Sequence, residues 1–146
     1  MSSPVDRLLS GDYHGVLRHE GARGLGLPGL ESAADRAGWR YVLLDTAGLA
    51  EREEFLRCCA DAFDLPLRLA SSWEGLDQGL RSLDWDEPPG VVVVWAGWDE
   101  LAEGDPDGFD SAIEVLRDAC VAWKDDDVPG AVVLVGQGPE TDLPEV

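Results

Sequence analysis

The sequence predicts an α/β fold, a three-stranded parallel sheet covered by helices, with an N-terminal extension ahead of it. Three observations carry this expectation. Short apolar runs at 40–45, 91–95 and 131–135 read as buried strands, the second so β-branched that both its faces must be covered. Segments with helical spacing of apolar residues separate them. Strands that alternate with helices pair in parallel through right-handed crossovers.

The first 38 residues are glycine-rich and lack a long periodic segment. Within them, Gly-Val-Leu-Arg-His at 15–19 reads as a short strand, and 30–37 reads as a helix stopped by Gly38. Residues 1–38 are therefore expected to form an extension packed on a domain at 39–137, with an acidic tail at 138–146. After the strand at 40–45 comes a turn at 46–48. A helix over 51–63 follows, with acids in its first turn and Phe55, Cys58 or Cys59, Ala62 and Phe63 on its apolar side. Leu65-Pro66 ends it, and the chain to Ala70 reads as a loop. Ser71 or Ser72 can cap the next helix, which runs to about Leu83 with Trp73, Leu76, Leu80 and Leu83 on one face. Pro88 and Pro89 mark a connection into the strand at 91–95. Residues 95–100 read as the strand end leading into an exposed acidic turn at Asp99-Glu100. Asp105-Pro106-Asp107 caps a long helix whose inner stripe is Phe109, Ala112, Ile113, Leu116, Cys120 and Trp123.

Charge narrows the function. Thirty acidic residues face eleven basic ones, for a net charge of -19, and Lys124 is the single lysine. Such a surface repels nucleic acid, whose phosphates need basic neutralisation. It attracts basic proteins and speeds their encounter, although solubility alone also accounts for it. Cys58, Cys59 and Cys120 are odd in number and contain no CxxC pair, so no zinc ligand set is formed. Free thiols on helical faces (Cys58 and Cys120 are the ones expected there) fit a reducing cytoplasm. The N-terminus has no signal-peptide pattern, and the apolar run at 91–96 is too short to cross a membrane. A cytoplasmic monomer without cofactor or metal is expected.

Several catalytic patterns present themselves and fail. Gly24, Gly26 and Gly29 form a GxGxxG match, but it follows no convincing strand and contains Pro28. The run Val91–Val94 with Asp99-Glu100 resembles an ATPase acidic strand, yet no glycine-rich loop precedes Lys124. His14 and His19 would fall on opposite faces of a strand. No GxSxG elbow exists, and no cysteine has a histidine near it in sequence. No enzyme is expected, although carboxylates from distant segments can in principle converge.

Phe63-Asp-Leu65-Pro66, then six residues, then Trp73-Glu74-Gly75-Leu76-Asp77 and Leu80 resembles the barstar family. The strand ending in Trp95, the Gly97-Trp98 pair, and the helix around Ser111–Ala119 before a last apolar strand extend the resemblance over 39–135. It implies a barstar-like fold and an inhibitor that plugs the active site of a basic ribonuclease or toxin nuclease domain. In that family the loop and the opening of the second helix enter the enzyme, and acidic side chains replace RNA phosphates. Carried over by position, the resemblance implies a contact set of Arg68, Leu69, Ser72, Trp73, Glu74, Asp77, Gln78 and Asp118. Gln78 stands where the family usually has its central aspartate, and Arg68 and Leu69 replace its paired aromatics. Core packing is the simpler account of Trp73, Leu76 and Leu80, and a solvated face accounts equally for Glu74, Asp77 and Gln78. The acidic stripe Asp107, Asp110, Glu114 and Asp118 reads first as a solvated helix face. The alternatives are an immunity or adaptor protein for a non-ribonuclease partner, a small carboxylate-based enzyme, and a DNA mimic.

Overall fold

The computed structural model describes residues 8–9, 15–19, 29–83, 85, 88–136, 138–139, 141 and 143–144. In chain order these form β1 (Gly15–His19), α1 (Leu30–Ala37), β2 (Arg40–Asp45), α2 (Arg52–Ala62), a 3-10 turn (Leu67–Ser71), α3 (Trp73–Arg81), β3 (Val91–Ala96), α4 (Trp98–Gly104), α5 (Pro106–Asp125) and β4 (Gly130–Val135). All strands run parallel in the order β1-β4-β3-β2.

The expected three-stranded sheet thus has a fourth strand. β1 pairs with β4 from Gly15 opposite Ala131 to His19 opposite Val135. The reason lies in β4, whose six residues are all buried. A strand apolar on both faces is an interior strand and needs a neighbour on each side. The outer edge of β1 is covered in turn by the C-terminal segment. Gly136 N–H donates to the His19 carbonyl, while Arg18 N–H, facing the other way, donates to the Pro144 carbonyl at 2.8 Å. The Arg18 guanidinium donates to the carbonyls of Pro139 (3.0 Å) and Gly138 (3.1 Å) and lies 4.8 Å from the Trp98 ring centroid.

Period-two alternation splits the core into two layers. Val91, Val93 and Trp95 point to one face with Phe55, Leu56, Leu76, Leu80, Leu116 and Trp123. Val92, Val94 and Ala96 point to the other with Leu8, Leu17, Leu30, Ala34 and Trp39. Handedness explains this division. The steps β2 to β3 to β4 run one way along the sheet, and the step from β1 to β2 runs back. Right-handed crossovers place the helices of opposite steps on opposite faces, so α1 covers the face that α2, α3 and α5 leave bare.

The Asp99-Glu100 segment corrects the sequence reading. It is the first turn of α4 rather than a loop turn; Glu100 is exposed, as expected, but Trp98 and Leu101 are fully buried beneath it. Acids in a first turn complement the helix dipole. Gly97, at φ 75°, makes the entry possible, because a Cβ there would run into the Ala47 backbone. The supposed loop before α3 is a 3-10 turn, and α3 ends at Arg81. In α2 it is Cys59 that is buried, with Cys58 half-buried. Most of the GxGxxG match and His14 lie outside the described residues. No helix of the described residues is long and apolar enough to cross a membrane.

Asp105 joins α2 to α5. Its Oδ1 accepts the Gly108 N–H at 3.0 Å as the α5 cap, and Arg52 donates Nε to Oδ2 at 2.8 Å and Nη2 to Oδ1 at 2.9 Å. The Arg52 hydrogen bond, then the Gly108 N–H, hold the Asp105 carboxyl below its usual range. A carboxyl lowered in the folded state stabilises above its unfolded value, and that contribution is lost as pH falls through the folded value. Asp105→Ala is expected to lower stability by about 1 kcal/mol at neutral pH, with the gap to wild type narrowing as pH falls below the usual carboxylate range and through the lowered folded-state value. Urea denaturation across pH measures this; a gap that does not depend on pH would disprove the linkage.

Candidate functional site

Helix α3 is fixed at both ends, and that is what makes its outer face a defined surface. At its start, Ser72 caps the helix by accepting the Gly75 N–H at 3.0 Å. Trp73 lies on Phe55 with ring centroids 5.6 Å apart, and Phe55 continues to Trp95 of β3 at 5.0 Å. Tilted aromatic pairs of this kind add about 0.5–1.5 kcal/mol beyond area burial. At its end, the buried Trp123 Nε1–H of α5 donates to the Leu80 carbonyl at 2.8 Å. An α-helix leaves its last carbonyls without internal partners, and the α5 indole supplies one of them.

The 3-10 turn is held against α3 by two glycines. A Cβ at Gly75 would stand 2.8 Å from the Leu69 carbonyl oxygen. A Cβ at Gly79 would stand 3.1 Å from the nearest methyls of both Leu65 and Leu69. Spaced four apart, the glycines open one stripe of α3 and the turn closes onto it. Leu69 thereby turns inward and is half-buried. Leu67 instead projects outward and is 74% exposed. The sequence offered no periodicity from which to foresee this in the segment after Pro66.

The eight expected contact residues therefore divide. Arg68, Ser72, Glu74 and Gln78 are exposed, with the Ser72 hydroxyl engaged in the cap. Leu69 and Trp73 are half-buried and pack against the scaffold. Asp77 and Asp118, half-buried, are joined by Arg81, which sequence reasoning did not single out. Arg81 Nε donates to Asp77 Oδ1 at 3.0 Å, and Arg81 Nη2 stands 3.7 Å from Asp118 Oδ2. The first contact is an (i, i+4) pair and was legible; the second needs α3 and α5 to be packed. Exposed pairs of this kind contribute about 0.2–1 kcal/mol at most, so they orient charge more than they stabilise. Along α3 the exposed positions 74, 78 and 81 share one stripe, giving acid, amide and cation in order. On α5, Glu114 and Arg117 are also exposed, and Val121 is 61% exposed.

The described parts of the N-terminal segment lie at the far edge and on the opposite sheet face, so they do not cover this surface. An open cleft on that other side is lined by Glu31, Ser32, Asp35, Trp39, Arg40 and Tyr41. Burial, then Glu31, pushes the Tyr41 hydroxyl up. Burial likewise raises all three thiols, Cys120 to about 12, which suppresses the nucleophilic thiolate. Among the described residues no group of three His, Cys, Asp or Glu side chains is placed to hold a metal ion.

Gly75→Ala tests the close approach. Helix propensity alone favours alanine by about 1 kcal/mol. The clash with the Leu69 carbonyl is expected to outweigh this and destabilise by about 1–3 kcal/mol net, read as a lower urea midpoint. A stabilised variant would show that the 3-10 turn does not sit on the helix.

Residues 39–135 match the family model described as barstar (barnase inhibitor), whereas no curated protein matches the chain. The match begins at Trp39, ends with β4 and includes the capped, glycine-seated helix α3. The chain belongs to the barstar family.

Proposed function

We propose that the protein inhibits a basic, extracellular-type ribonuclease or toxin nuclease domain by covering its active site with the 3-10 turn and the opening of α3. The observation that carries this reading is the exposure of Glu74 and Gln78 on a helix anchored at both ends, at the positions where the family makes its contacts. A ribonuclease site is built to bind anions, so a carboxylate held on a stiff helix meets preplaced cations in charge-assisted hydrogen bonds. Ordering entropy was already spent in folding, which leaves more of the interaction for binding. The net charge of -19 adds long-range attraction toward a cationic enzyme.

Leu67 and Val121 fit apolar anchors beside the charged stripe. In this reading Leu67 takes over apolar contact from the position that Leu69, turned inward, no longer presents. A binding role without catalysis is supported by thiols that burial keeps protonated. Three free cysteines fit residence in a reducing cytoplasm.

A second reading rests on Gln78. An amide in place of the family's central carboxylate removes one charge pair, which favours an immunity or adaptor role toward a partner with a less cationic pocket.

Inhibition assays against a panel of small basic microbial ribonucleases at low salt test the first reading. The wild type is expected to inhibit at least one. Glu74→Lys is expected to weaken that inhibition by about tenfold or more, and Leu67→Ala by about threefold to tenfold. No inhibition at micromolar protein across the panel would reject ribonuclease inhibition, and a stable complex with a non-nuclease partner through α3 would establish the second reading.

A further inference from the structure

We infer that Arg81 is a specificity-determining residue of the α3–α5 face, and that the partner presents a carboxylate to it amid cations. This rests on reading α3 as the contact helix. Three features hold the guanidinium there: the Asp77 hydrogen bond, the Asp118 carboxylate across the helix boundary, and the negative end of the α3 dipole, in whose last turn Arg81 stands. It is nevertheless exposed, at 49% of its side chain.

Two consequences follow from that position. Asp77 and Asp118, the acids nearest the end of the contact stripe, already face a cation, so a uniformly cationic surface gains less from them and is repelled by Arg81. Moreover, guanidinium carries five N–H donors. Nε is used by Asp77, and the 3.7 Å approach to Asp118 is longer than a hydrogen bond. A partner that covers this face takes the outward donors out of water, and donors buried without acceptors oppose binding. The acceptor that best answers a cation is a carboxylate. The stripe Glu74, Gln78, Arg81 therefore reads as a directional pattern that accepts cations at its start and an anion at its end.

The test has two arms on the full chain, with Arg81→Gln, Arg81→Lys and Arg36→Gln. The last variant changes net charge by the same amount from the opposite sheet face. In the first arm, hexa-arginine peptide is titrated at low salt while amide chemical shifts of α3 and α5 are followed. Arg81→Gln is expected to bind the peptide on this face about threefold to fivefold more tightly than wild type, Arg81→Lys to behave as wild type, and Arg36→Gln to change little. In the second arm, the same variants are assayed on a ribonuclease that the wild type inhibits. Arg81→Gln is expected to lose about fivefold to tenfold in affinity, because the partner's carboxylate loses its cation. Opposite signs in the two arms support the inference. Equal effects of Arg81→Gln and Arg36→Gln on the peptide overturn it, as does tighter ribonuclease inhibition by Arg81→Gln. Absence of wild-type inhibition throughout the panel rejects ribonuclease inhibition itself, and the peptide arm still decides the role of Arg81.

Discussion

Two neighbouring strands without a polar side chain set the terms for the whole molecule. β3 and β4 bury all twelve of their residues, so both sheet faces need cover and both strands need flanking partners. β2 flanks β3, and β1 flanks β4. One helix layer cannot cover two faces, and handedness forbids putting every crossover on the same one. The return step from β1 to β2 therefore carries α1 to the second face, where Leu30, Ala34 and Trp39 close over Val92 and Val94. The described N-terminal elements thus complete the hydrophobic core on the side away from α3, which leaves the outer face of that helix open to solvent.

Rigidity at α3 follows from contacts that serve the core first. Trp73 and Trp123 are packing residues, one on Phe55 and one beneath the Leu80 carbonyl, yet between them they determine where Glu74, Gln78 and Arg81 stand. Core packing and solvent exposure are separated here by side of the helix. The inner stripe of Leu76 and Leu80 is fully buried, and the 3-10 turn is seated on the glycine stripe of 75 and 79. Only the remaining stripe faces solvent, and it is the stripe that the proposed recognition uses. That division explains why a leucine turned inward at 69 and the need for a residue without a Cβ at 75 matter to the outer surface of α3.

The sequence made the strands, the three long helices and the Asp105 cap legible, because each rests on local periodicity or a local hydrogen bond. It made 15–19 legible as a strand but not its place, since five residues carry no signal for which edge they join. The double-sided apolar character of 131–135 was the available clue that this strand is interior. Asp99-Glu100 was misread because Trp98 and Leu101 define only one helical turn, too short a period to distinguish from a loop. In the candidate site, the acids and Gln78 were legible by position. The outward turn of Leu67 and the junction of Arg81 with Asp118 were not, for both depend on packing between segments distant in sequence.

Net charge and local pattern act over different ranges, and specificity has to arise from the shorter one. At physiological salt, fields decay over about 8 Å, so the excess of acids draws in any strongly basic protein without telling one from another. Discrimination begins where side chains are covered and water is removed. There an acid, an amide and a cation in sequence along α3 differ from three acids in a row, because each must meet a different complement. Gln78 can donate as well as accept, which tolerates a mixed pocket that a carboxylate would penalise. Arg81 goes further and makes a purely cationic pocket unfavourable. Gln78, a departure from the family's pattern, and Arg81, held by Asp77 and Asp118, therefore point the same way, toward a partner whose site alternates in charge rather than one that is positive throughout.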